Sequence, residues 1–459
     1  MSTSGAAVSK LNLTELLEGS PIGPLHVRLF VLCMASLVMD GFDVQAIGYV
    51  GPAMLADWGI PAPNLRWVFM AGNAGVLIGS LVFSMVADKV GRRPVLVWAT
   101  LFFSALTLAT AYARDLNELL VLRLIAGIGL GSIMPNATAL IGEFSPKRSR
   151  VALMMCITVG FTVGAAISGF VAAWLIPHYG WRSVFVVGGV LPLVIAAAMA
   201  WGLPESLQFL AVRKRRFDQL TRWLKKLDPT LKIDASTQYA ASESSREGVP
   251  ISHLFRDGRG TVTVLIWIVN FMNILILYSL SNWLPIVLNG MGLDETTAVI
   301  IGAVLQVGGT VGAFGLAWAI ARKGFTATLI ATFALAAASV TSIGHPGLGV
   351  GALTLVVFVA GWCIIGGQPG LNSLSASYYP TYLRSTGIGA GLGVGRMGAI
   401  VGPYIGGALL AAQWAPQQLF WAAALPALVS TAVMVALRFV LGGVAPRAPT
   451  AAEPAPLVH

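Results

Sequence analysis

Two acidic side chains stand out because each lies in the middle of a long apolar run. Asp40 and Asp43 belong to the segment 40-DGFDVQAIGYVGP-52, and their spacing places both carboxylates on one face of a helix. An ionised carboxylate is costly to bury unless it has a partner, so each must either bind a proton or pair with a buried arginine. The two acids therefore indicate a proton-coupling site, with a purely structural ion pair as the alternative.

Two arginines are also embedded in apolar runs. Arg123 opens the segment 123-RLIAGIGLG-131, and Arg396 lies in 395-GRMGAIVGPYIGG-407. Counted along the helices, Arg396 lies at about the depth of Asp40 and Arg123 at about that of Asp43, so the buried charge is balanced. We expect both arginines to bind an anionic substrate, with Arg396 exchanging its Asp partner for a carboxylate. A structural ion pair, or for Arg123 extension to the membrane surface, is the alternative.

The elements that carry these groups are membrane-spanning helices. Of 459 residues, 56% are hydrophobic and only 10% are charged, with a mean hydropathy of +0.79, whereas soluble proteins carry about 25% charged residues. Runs of 18 or more apolar residues predict an all-α integral membrane protein with twelve transmembrane helices. In order, spans 1 to 12 are predicted at 27–52, 65–87, 94–113, 117–142, 151–175, 183–203, 261–284, 296–320, 326–344, 349–377, 385–411 and 418–440.

The spans divide into two halves. Residues 205–258 form the only long polar stretch between spans and are interpreted as a cytoplasmic linker. This predicts an N-terminal six-helix bundle at 27–204 and a C-terminal one at 259–441, with cytoplasmic end segments at 1–26 and 442–459. The halves are also related in sequence, because one constant offset aligns Gly127 with Gly361, Pro135 with Pro369, Pro146 with Pro380 and Arg150 with Arg384. Repeated six-helix halves are the architecture of alternating-access carriers, whose substrate site lies near the bilayer midplane.

The formal net charge of +10 comes from short basic clusters between apolar runs, which argues for membrane loops and against nucleic-acid binding. With both termini cytoplasmic, Arg66, Arg114 and Arg182 are the only basic residues in outer loops, so the positive-inside rule favours that orientation. Cys33, Cys156 and Cys363 have no metal-ligand spacing and are expected to be buried thiols. The five histidines lie in loops or tails, where no proton relay is expected.

The loop after span 2 reads 84-SMVADKVGRRPV-95. It resembles the signature loop of the major facilitator superfamily, in which an acid and basic residues hold the two halves together at the cytoplasmic side. The resemblance implies a gating role for Asp88, Arg92 and Arg93, although Ser84 replaces the usual Gly. In the equivalent loop of the second half Ala321 replaces the acid, so only the loop of the first half is expected to gate. The alternative for the loop after span 2 is a plain positive-inside loop without a gating role.

The loop 143-EFSPKRSR-150 and the Arg123 segment also resemble motifs of this superfamily. We expect Glu143, Arg148 and Arg150 to shape the cytoplasmic gate. Span 5 lacks the Gly-Pro pair that marks drug antiporters in the superfamily, which favours import over efflux.

The run DGFD followed by Gly-Pro, together with 395-GRMGAIVGPYIGG-407, resembles the aromatic acid:proton symporter family, the bacterial importers of benzoate-like anions. The resemblance implies proton-coupled import of a hydroxybenzoate-like or benzoate-like carboxylate across the bacterial inner membrane, with Asp40 and Asp43 required. The expected partners are this small carboxylate, protons and the lipid bilayer. We expect a monomer with no cofactor other than the coupling proton.

An aromatic substrate needs apolar walls and a few polar contacts. Asn270 and Asn273 share one face of span 7, and Gln368 and Asn372 share one face of span 10. For each candidate a role in helix packing alone is the alternative. The candidate substrate contacts are Phe42, Tyr49, Trp267, Asn270, Asn273, Gln306, Trp362, Gln368 and Asn372.

Other functions remain open at the level of sequence. A proton symporter of another organic acid or metabolite is the first alternative, and a drug efflux carrier is the second. The segment 204-PESLQFL-210 is similar to sugar carriers, but a neutral sugar would not need buried arginines. No HExxH motif, P-loop or suitably placed G-x-S-x-G is present, so we do not expect an enzyme. The polar linker is too short for the soluble output domain of a receptor.

Overall fold

The structure, a computed structural model, describes residues 10–12, 23–207, 209–210, 221, 223–224, 238–240, 251–345 and 347–443. Long helices dominate this part of the chain, and they match the predicted spans to within a few residues. In order they are Pro24–Trp58 (span 1), Leu65–Val90 (span 2), Arg92–Thr110 (span 3), Leu116–Leu130 with Ile133–Phe144 (span 4), Lys147–Tyr179 (span 5), Arg182–Gly202 (span 6), Gly260–Gly290 (span 7), Glu295–Lys323 (span 8), Phe325–Ile343 (span 9), Val350–Tyr378 (span 10), Thr381–Ala411 (span 11) and Pro416–Gly443 (span 12). Short 3₁₀ turns at Ala62–Asn64 and Ile251–Phe255 precede spans 2 and 7.

Eleven helices of the described chain are long and apolar enough to cross a membrane. Span 1 is not among these eleven, but its 35 residues extend about 52 Å, well beyond the roughly 30 Å hydrocarbon core. It packs against spans 5, 6 and 7, in the position of a spanning helix. The prediction of an all-α membrane protein with twelve spans in two repeats is confirmed.

Span 4 differs from the prediction of one uninterrupted helix. It consists of two helices, Leu116–Leu130 and Ile133–Phe144, joined by a turn at Gly131 and Ser132. Gly131 lies so close to span 2 that a Cβ there would be 2.2 Å from the Val76 carbonyl oxygen. The turn therefore depends on contact with a neighbouring helix, which the hydropathy of the segment does not reveal.

A small parallel sheet was not predicted. Lys10–Asn12 pairs with Gln238–Ala240, with Leu11 opposite Tyr239. The two strands come from the predicted N-terminal segment and the predicted linker, which otherwise lie mostly outside the described residues.

The two halves repeat one pattern of helix contacts. In the N-terminal half span 1 packs on span 5, span 2 on span 4, and span 3 on span 6. In the C-terminal half span 7 packs on span 11, span 8 on span 10, and span 9 on span 12. These are the same pairs shifted by six spans, as expected for two copies of one six-helix unit.

Glycines allow the helices of each half to approach closely. In the N-terminal half, a Cβ at Gly164 of span 5 would lie 1.8 Å from the Val38 carbonyl oxygen of span 1. In the C-terminal half, a Cβ at Gly398 of span 11 would lie 2.5 Å from the Phe271 carbonyl oxygen of span 7. Because any side chain at these glycines would collide with backbone, the approach also fixes the register of each helix pair.

The most extensive contacts between the halves are those of span 5 with span 8, span 2 with span 11, and span 1 with span 7. We call the face where span 1 begins and span 12 ends the terminal face, and the other the distal face. Towards the distal face, the Trp67 and Tyr404 rings lie 5.3 Å apart, and the Arg66 guanidinium lies within 6 Å of both. The Phe69 and Trp283 rings lie 5.1 Å apart. Aromatic contacts therefore close the distal side of the interface.

The expectation of three buried cysteines is wrong for one of them. Cys33 and Cys363 are buried, whereas Cys156 is exposed on span 5. Ala152 and Met155 are exposed with it, at helical spacings of one turn. This side of span 5 faces away from the bundle, and an apolar run alone does not distinguish such a face from the core.

Candidate functional site

The N-terminal half contains a buried ion pair at mid-membrane depth. Arg123 Nη1 of span 4 lies 3.0 Å from Asp43 Oδ2 of span 1, and both side chains are almost fully buried. Thr107 of span 3 donates a hydrogen bond of 2.6 Å to the other carboxylate oxygen of Asp43. The guanidinium also donates to Thr110 at 2.8 Å and lies 5.1 Å from the centre of the Phe185 ring. Four helices thus hold the pair, and Asp43 has no exposed oxygen to offer a ligand.

Asp40 lies one turn before Asp43 on span 1 and is placed differently. It is only 5% exposed, yet it forms neither a hydrogen bond nor an ion pair with any residue of the described chain. The charged groups whose fields reach it are Arg396 of span 11 and, to a smaller extent, Asp43. Tyr278 of span 7 lies within the fields of both Arg396 and Asp40. Asp40, Tyr278 and Arg396 therefore form one electrostatic group, which joins the two halves.

The face of span 11 that carries Arg396 borders open space. Gly389 and Gly393 precede Arg396 by seven and three residues, so all three share this face. Apart from the nearby backbone of span 11 itself, no atom of the described residues lies within 4 Å of the position where either glycine would carry a Cβ. Because the charge of Arg396 acts on Asp40 of span 1 and Tyr278 of span 7, this face is directed towards the boundary between the halves. Between Arg396 and the terminal face, no other described helix therefore packs closely on span 11 at these two glycines.

Four amide side chains predicted as substrate contacts lie together in the C-terminal half. Gln368 of span 10 accepts a 2.8 Å hydrogen bond from Asn273 and donates to Asn270 and Asn372 at 2.9 and 3.3 Å. Asn270 and Asn273 are buried, whereas Gln368 and Asn372 are half-buried. We call Asn270, Asn273, Gln368 and Asn372 the amide cluster. The close pairing of spans 7 and 10 that it requires could not be read from either helix alone.

Tyr49 and Gln306 occupy the interface between the halves. The Tyr49 hydroxyl lies 3.1 Å from the Ala165 carbonyl oxygen and 3.4 Å from that of Gly302, so it bridges spans 5 and 8. Gln306 donates a 3.1 Å hydrogen bond to Ser281 of span 7. Both side chains are buried. They connect helices at this level of the interface, and any movement of one half against the other must change their contacts.

The structure does not bring three other predicted contacts to the Asp40–Arg396 group. Phe42 points into the N-terminal half, where its ring lies against Gly188 of span 6. Arg123 is occupied by Asp43 and Thr110. Trp362 packs over Gly312 and Gly315 of span 8. Hydropathy places all three at suitable depths, but their direction around the helix depends on how the spans pack.

A second polar group lies at the terminal face. Arg92, at the start of span 3, forms a 3.0 Å ion pair with Glu143, at the end of span 4. Glu143 also accepts a hydrogen bond from the Ser206 hydroxyl, just beyond span 6. Arg93 donates to the carbonyl oxygen of Ala200. These bonds connect spans 3, 4 and 6 within the N-terminal half.

Glu205 is central to this second group. Its Oε1 atom accepts hydrogen bonds from the backbone N–H groups of Arg92, Arg93 and Ser206 at 2.9, 3.2 and 2.9 Å. Two of these donors belong to the first turn of span 3, whose N–H groups lack partners within the helix. Burial raises the pKa of Glu205, and the three backbone hydrogen bonds oppose that rise. A carboxylate from beyond span 6 thus caps span 3.

The other predicted gating residues make fewer contacts. Asp88 is exposed and forms no ion pair or hydrogen bond with the described residues, although its field reaches Glu143. Arg150 donates to the Ser145 carbonyl oxygen at 3.4 Å. The side chain of Arg148 lies outside the described residues. The structure therefore brings Arg92, Arg93 and Glu143 together and leaves Asp88 at the edge of the group.

Sequence reasoning did not single out Tyr278 or assign a role to Glu205. The sequence signal for Glu205 is the segment 204-PESLQFL-210, which is similar to sugar carriers and places an acidic residue directly after span 6. Tyr278 gave no signal, because a tyrosine in an apolar run is an ordinary interface or core residue. Its proximity to Asp40 and Arg396 depends on the contact of span 7 with spans 1 and 11.

Comparison with known proteins gives three findings. The sequence model of the Major Facilitator Superfamily matches residues 33–395. The chain is 37% identical to a gallate transporter of Pseudomonas putida, over 93% of this chain and 95% of the relative. It is 36% identical to a 4-hydroxybenzoate transporter of the same organism, over 92% and 94% of the two chains.

The fold is also similar to solved structures. A bacterial homologue of the human lysosomal transporter Spinster, in an inward-facing and unoccupied conformation, matches with a TM-score of 0.69. The match covers 93% of this chain and 99% of the other, at 15% sequence identity. At that identity the likeness concerns the fold alone.

Proposed function

The chain belongs to the Major Facilitator Superfamily, and from this premise we propose that it is a proton-coupled symporter that imports an aromatic carboxylate of the hydroxybenzoate or benzoate type. The observation that carries the proposal is the buried Asp40, which forms no hydrogen bond or ion pair with the residues that the structure describes and lies in the field of Arg396 at the boundary between the two halves. The gallate and 4-hydroxybenzoate transporters, similar over nearly their whole length, support the substrate class. The substrate is released unchanged, so we propose no enzymatic reaction.

Charge balance explains the coupling. Asp43 and Arg123 neutralise each other in the N-terminal half. With Asp40 ionised, Arg396 neutralises it, and the central site carries no net charge. A carboxylate that binds Arg396 would leave one negative charge in a poorly solvated site, which is unfavourable. Binding a proton on Asp40 removes that charge, so anion and proton bind together, one of each.

Alternating access then follows from the arrangement of the halves. We propose that both termini are cytoplasmic and that the protein is a monomer in the bacterial inner membrane, so the terminal face is the inner face. The loosely packed glycine face of span 11 below Arg396 then lies on the cytoplasmic side, which fits an inward-open state, and the aromatic contact of Trp67 with Tyr404 closes the outer side. Outward opening requires this contact to break while the halves approach at the terminal face. The cluster of Arg92, Glu143 and Glu205 keeps spans 3, 4 and 6 together during that movement.

The test is uptake of labelled 4-hydroxybenzoate into proteoliposomes with an inward proton gradient. Protein-free liposomes provide the background, because the neutral acid crosses bilayers unaided. We expect saturable uptake that benzoates inhibit and that succinate and glucose do not. With one proton per anion, an imposed membrane potential at equal pH should drive no net uptake.

Two results would contradict the proposal. Uptake that does not respond to the proton gradient would exclude proton coupling. Inhibition by non-aromatic acids, with benzoates inert, would identify a transporter of another organic acid.

A further inference from the structure

The amide cluster has hydrogen-bonding capacity that the protein itself does not use. A carboxamide offers one acceptor oxygen and two N–H donors. Asn273 Nδ2 donates to Gln368 and to the Ile364 carbonyl oxygen, and Asn270 Nδ2 donates to the Ile266 carbonyl oxygen. Asn273 Oδ1 is buried, and no described residue forms a hydrogen bond with it. Asn372 Nδ2 has no partner among the described residues either, and Asn372 is half-buried.

An unpaired buried acceptor is unusual, because burying a polar atom without a hydrogen bond costs free energy. Asn273 is only 1% exposed, so bulk water does not offset that cost. Gln368 contacts both Asn273 and Asn372, which keeps the unused acceptor and the unused donor on neighbouring side chains. A ligand group that both donates and accepts a hydrogen bond could pair with either atom.

The cluster lies at the depth of Arg396. Span 11 runs beside span 7, and a Cβ at Gly395 would be 2.5 Å from the Ile274 side chain and 3.4 Å from the Asn270 carbonyl oxygen. The backbone of Arg396 therefore lies at the same depth as the turn of span 7 that contains Asn270 and Asn273. A substrate whose carboxylate binds Arg396 can present the far side of its ring to spans 7 and 10.

We propose that the amide cluster is the subsite that recognises hydroxyl groups on the aromatic ring. Asn273 Oδ1 accepts a hydrogen bond from the hydroxyl group, and Asn372 Nδ2 donates a hydrogen bond to the hydroxyl oxygen. A phenolic hydroxyl fits because it donates one hydrogen bond and accepts another, whereas an unsubstituted ring leaves Asn273 unpaired. This assignment rests on the proposed function and narrows its substrate class to hydroxylated benzoates.

Competition for labelled 4-hydroxybenzoate and for labelled benzoate by the two unlabelled acids tests the assignment. The variants are Asn273→Leu and Asn372→Leu, which keep side-chain size and remove the acceptor or the donor. Asn289→Leu is the matched control, because Asn289 lies on span 7 near the distal face, where its side chain donates to the Leu293 carbonyl oxygen. The readout is the ratio of the affinities for 4-hydroxybenzoate and benzoate.

We expect the wild type and Asn289→Leu to prefer 4-hydroxybenzoate at least tenfold. In both cluster variants that ratio should fall about tenfold, through weaker 4-hydroxybenzoate binding, with benzoate affinity changed less than twofold. If Asn273→Leu does not fold, Asn372→Leu still provides the result, because in that variant Gln368 keeps its hydrogen bonds to Asn270 and Asn273. An unchanged ratio in an active variant would overturn the subsite while leaving aromatic-acid transport intact. A wild type that binds neither acid would overturn the proposed function and the subsite with it.

Discussion

The Arg123 guanidinium lies 3.0 Å from the Asp43 carboxylate, whereas Asp40, one helical turn away, has no hydrogen-bonding partner in the described part of the chain. Two acids of one motif are therefore in different states. Asp43 is held by an arginine and a threonine from neighbouring helices. Asp40 lies at the boundary between the halves, where the charge of Arg396 is its main electrostatic partner. This difference supports the proposal that Asp43 has a structural role and that Asp40 binds the coupling proton.

The first prediction concerns the Asp43–Arg123 pair. Asp43→Asn or Arg123→Gln alone leaves one charge buried without its partner, which costs on the order of 3–5 kcal/mol. We expect each single variant to unfold at a clearly lower temperature in detergent. The double variant should recover much of that loss, because no unpaired charge remains. Single variants as stable as the wild type would contradict a structural role for the pair.

The second prediction concerns Asp40→Asn. Asparagine resembles the protonated acid, so the anion can bind Arg396 without a proton. We expect exchange of labelled for unlabelled substrate to persist. With a gradient of one pH unit, one proton per anion limits the ratio of internal to external substrate to roughly tenfold. In Asp40→Asn this ratio should fall to about one. Proteoliposome transport after subtraction of protein-free liposomes measures both activities.

Asp57→Asn is the matched control for this prediction. Asp57 lies on the same helix, but its carboxylate is 46% exposed and pairs with Arg182 at the distal face. Its replacement should leave accumulation unchanged. Full proton-driven accumulation by Asp40→Asn would show that the coupling proton binds elsewhere.

Much of this arrangement follows from the sequence. Apolar runs located the spans to within a few residues because the bilayer requires a fixed length of apolar helix. Helical spacing correctly placed Asn270 with Asn273, and Gln368 with Asn372, on shared faces. That the two faces meet in one hydrogen-bonded cluster depends on how spans 7 and 10 pack, which neither helix encodes alone.

The same reasoning fails where direction around a helix decides the outcome. Phe42 and Asp43 are adjacent, and both point into the N-terminal half, whereas Asp40 faces the other half. Span 1 is buried around most of its circumference, so hydrophobic periodicity gives no orientation. Tyr278 is not predicted for a related reason, because its proximity to Asp40 and Arg396 depends on two other helices.

The third prediction concerns Arg396. Arg396→Gln removes the charge that attracts the carboxylate, and Arg396→Lys keeps the charge but loses the two-pronged guanidinium geometry. We expect substrate affinity to fall at least tenfold in both, about 1.4 kcal/mol, with the larger loss in the glutamine variant. Equilibrium binding of 4-hydroxybenzoate to purified protein measures this. Arg182→Gln, at the exposed distal pair, serves as the control and should bind normally. Unchanged affinity in Arg396→Gln would exclude Arg396 as the carboxylate site.

The last prediction concerns Gly91 and Glu205 at the terminal face. Gly91 has a φ of 110°, a backbone conformation that residues with a side chain rarely adopt. A Cβ there would also lie 2.4 Å from Glu205 Oε2. Gly91→Ala should therefore both strain the turn and displace the carboxylate that caps span 3. Glu205→Ala leaves the same three backbone N–H groups unpaired without straining Gly91.

Thermal unfolding of the variants separates the two effects. We expect Glu205→Ala to lower stability by about 1–3 kcal/mol, since it removes a cap with several donors. Gly91→Ala should be less stable than Glu205→Ala. The double variant should also be clearly less stable than Glu205→Ala, because removing the carboxylate relieves the collision but not the strain in the turn. Glu205→Gln keeps an acceptor oxygen and should remain close to the wild type. Gly91→Ala as stable as the wild type would show that span 3 does not depend on this turn, and Glu205→Ala as stable as the wild type would show that Glu205 does not fix the first residues of span 3.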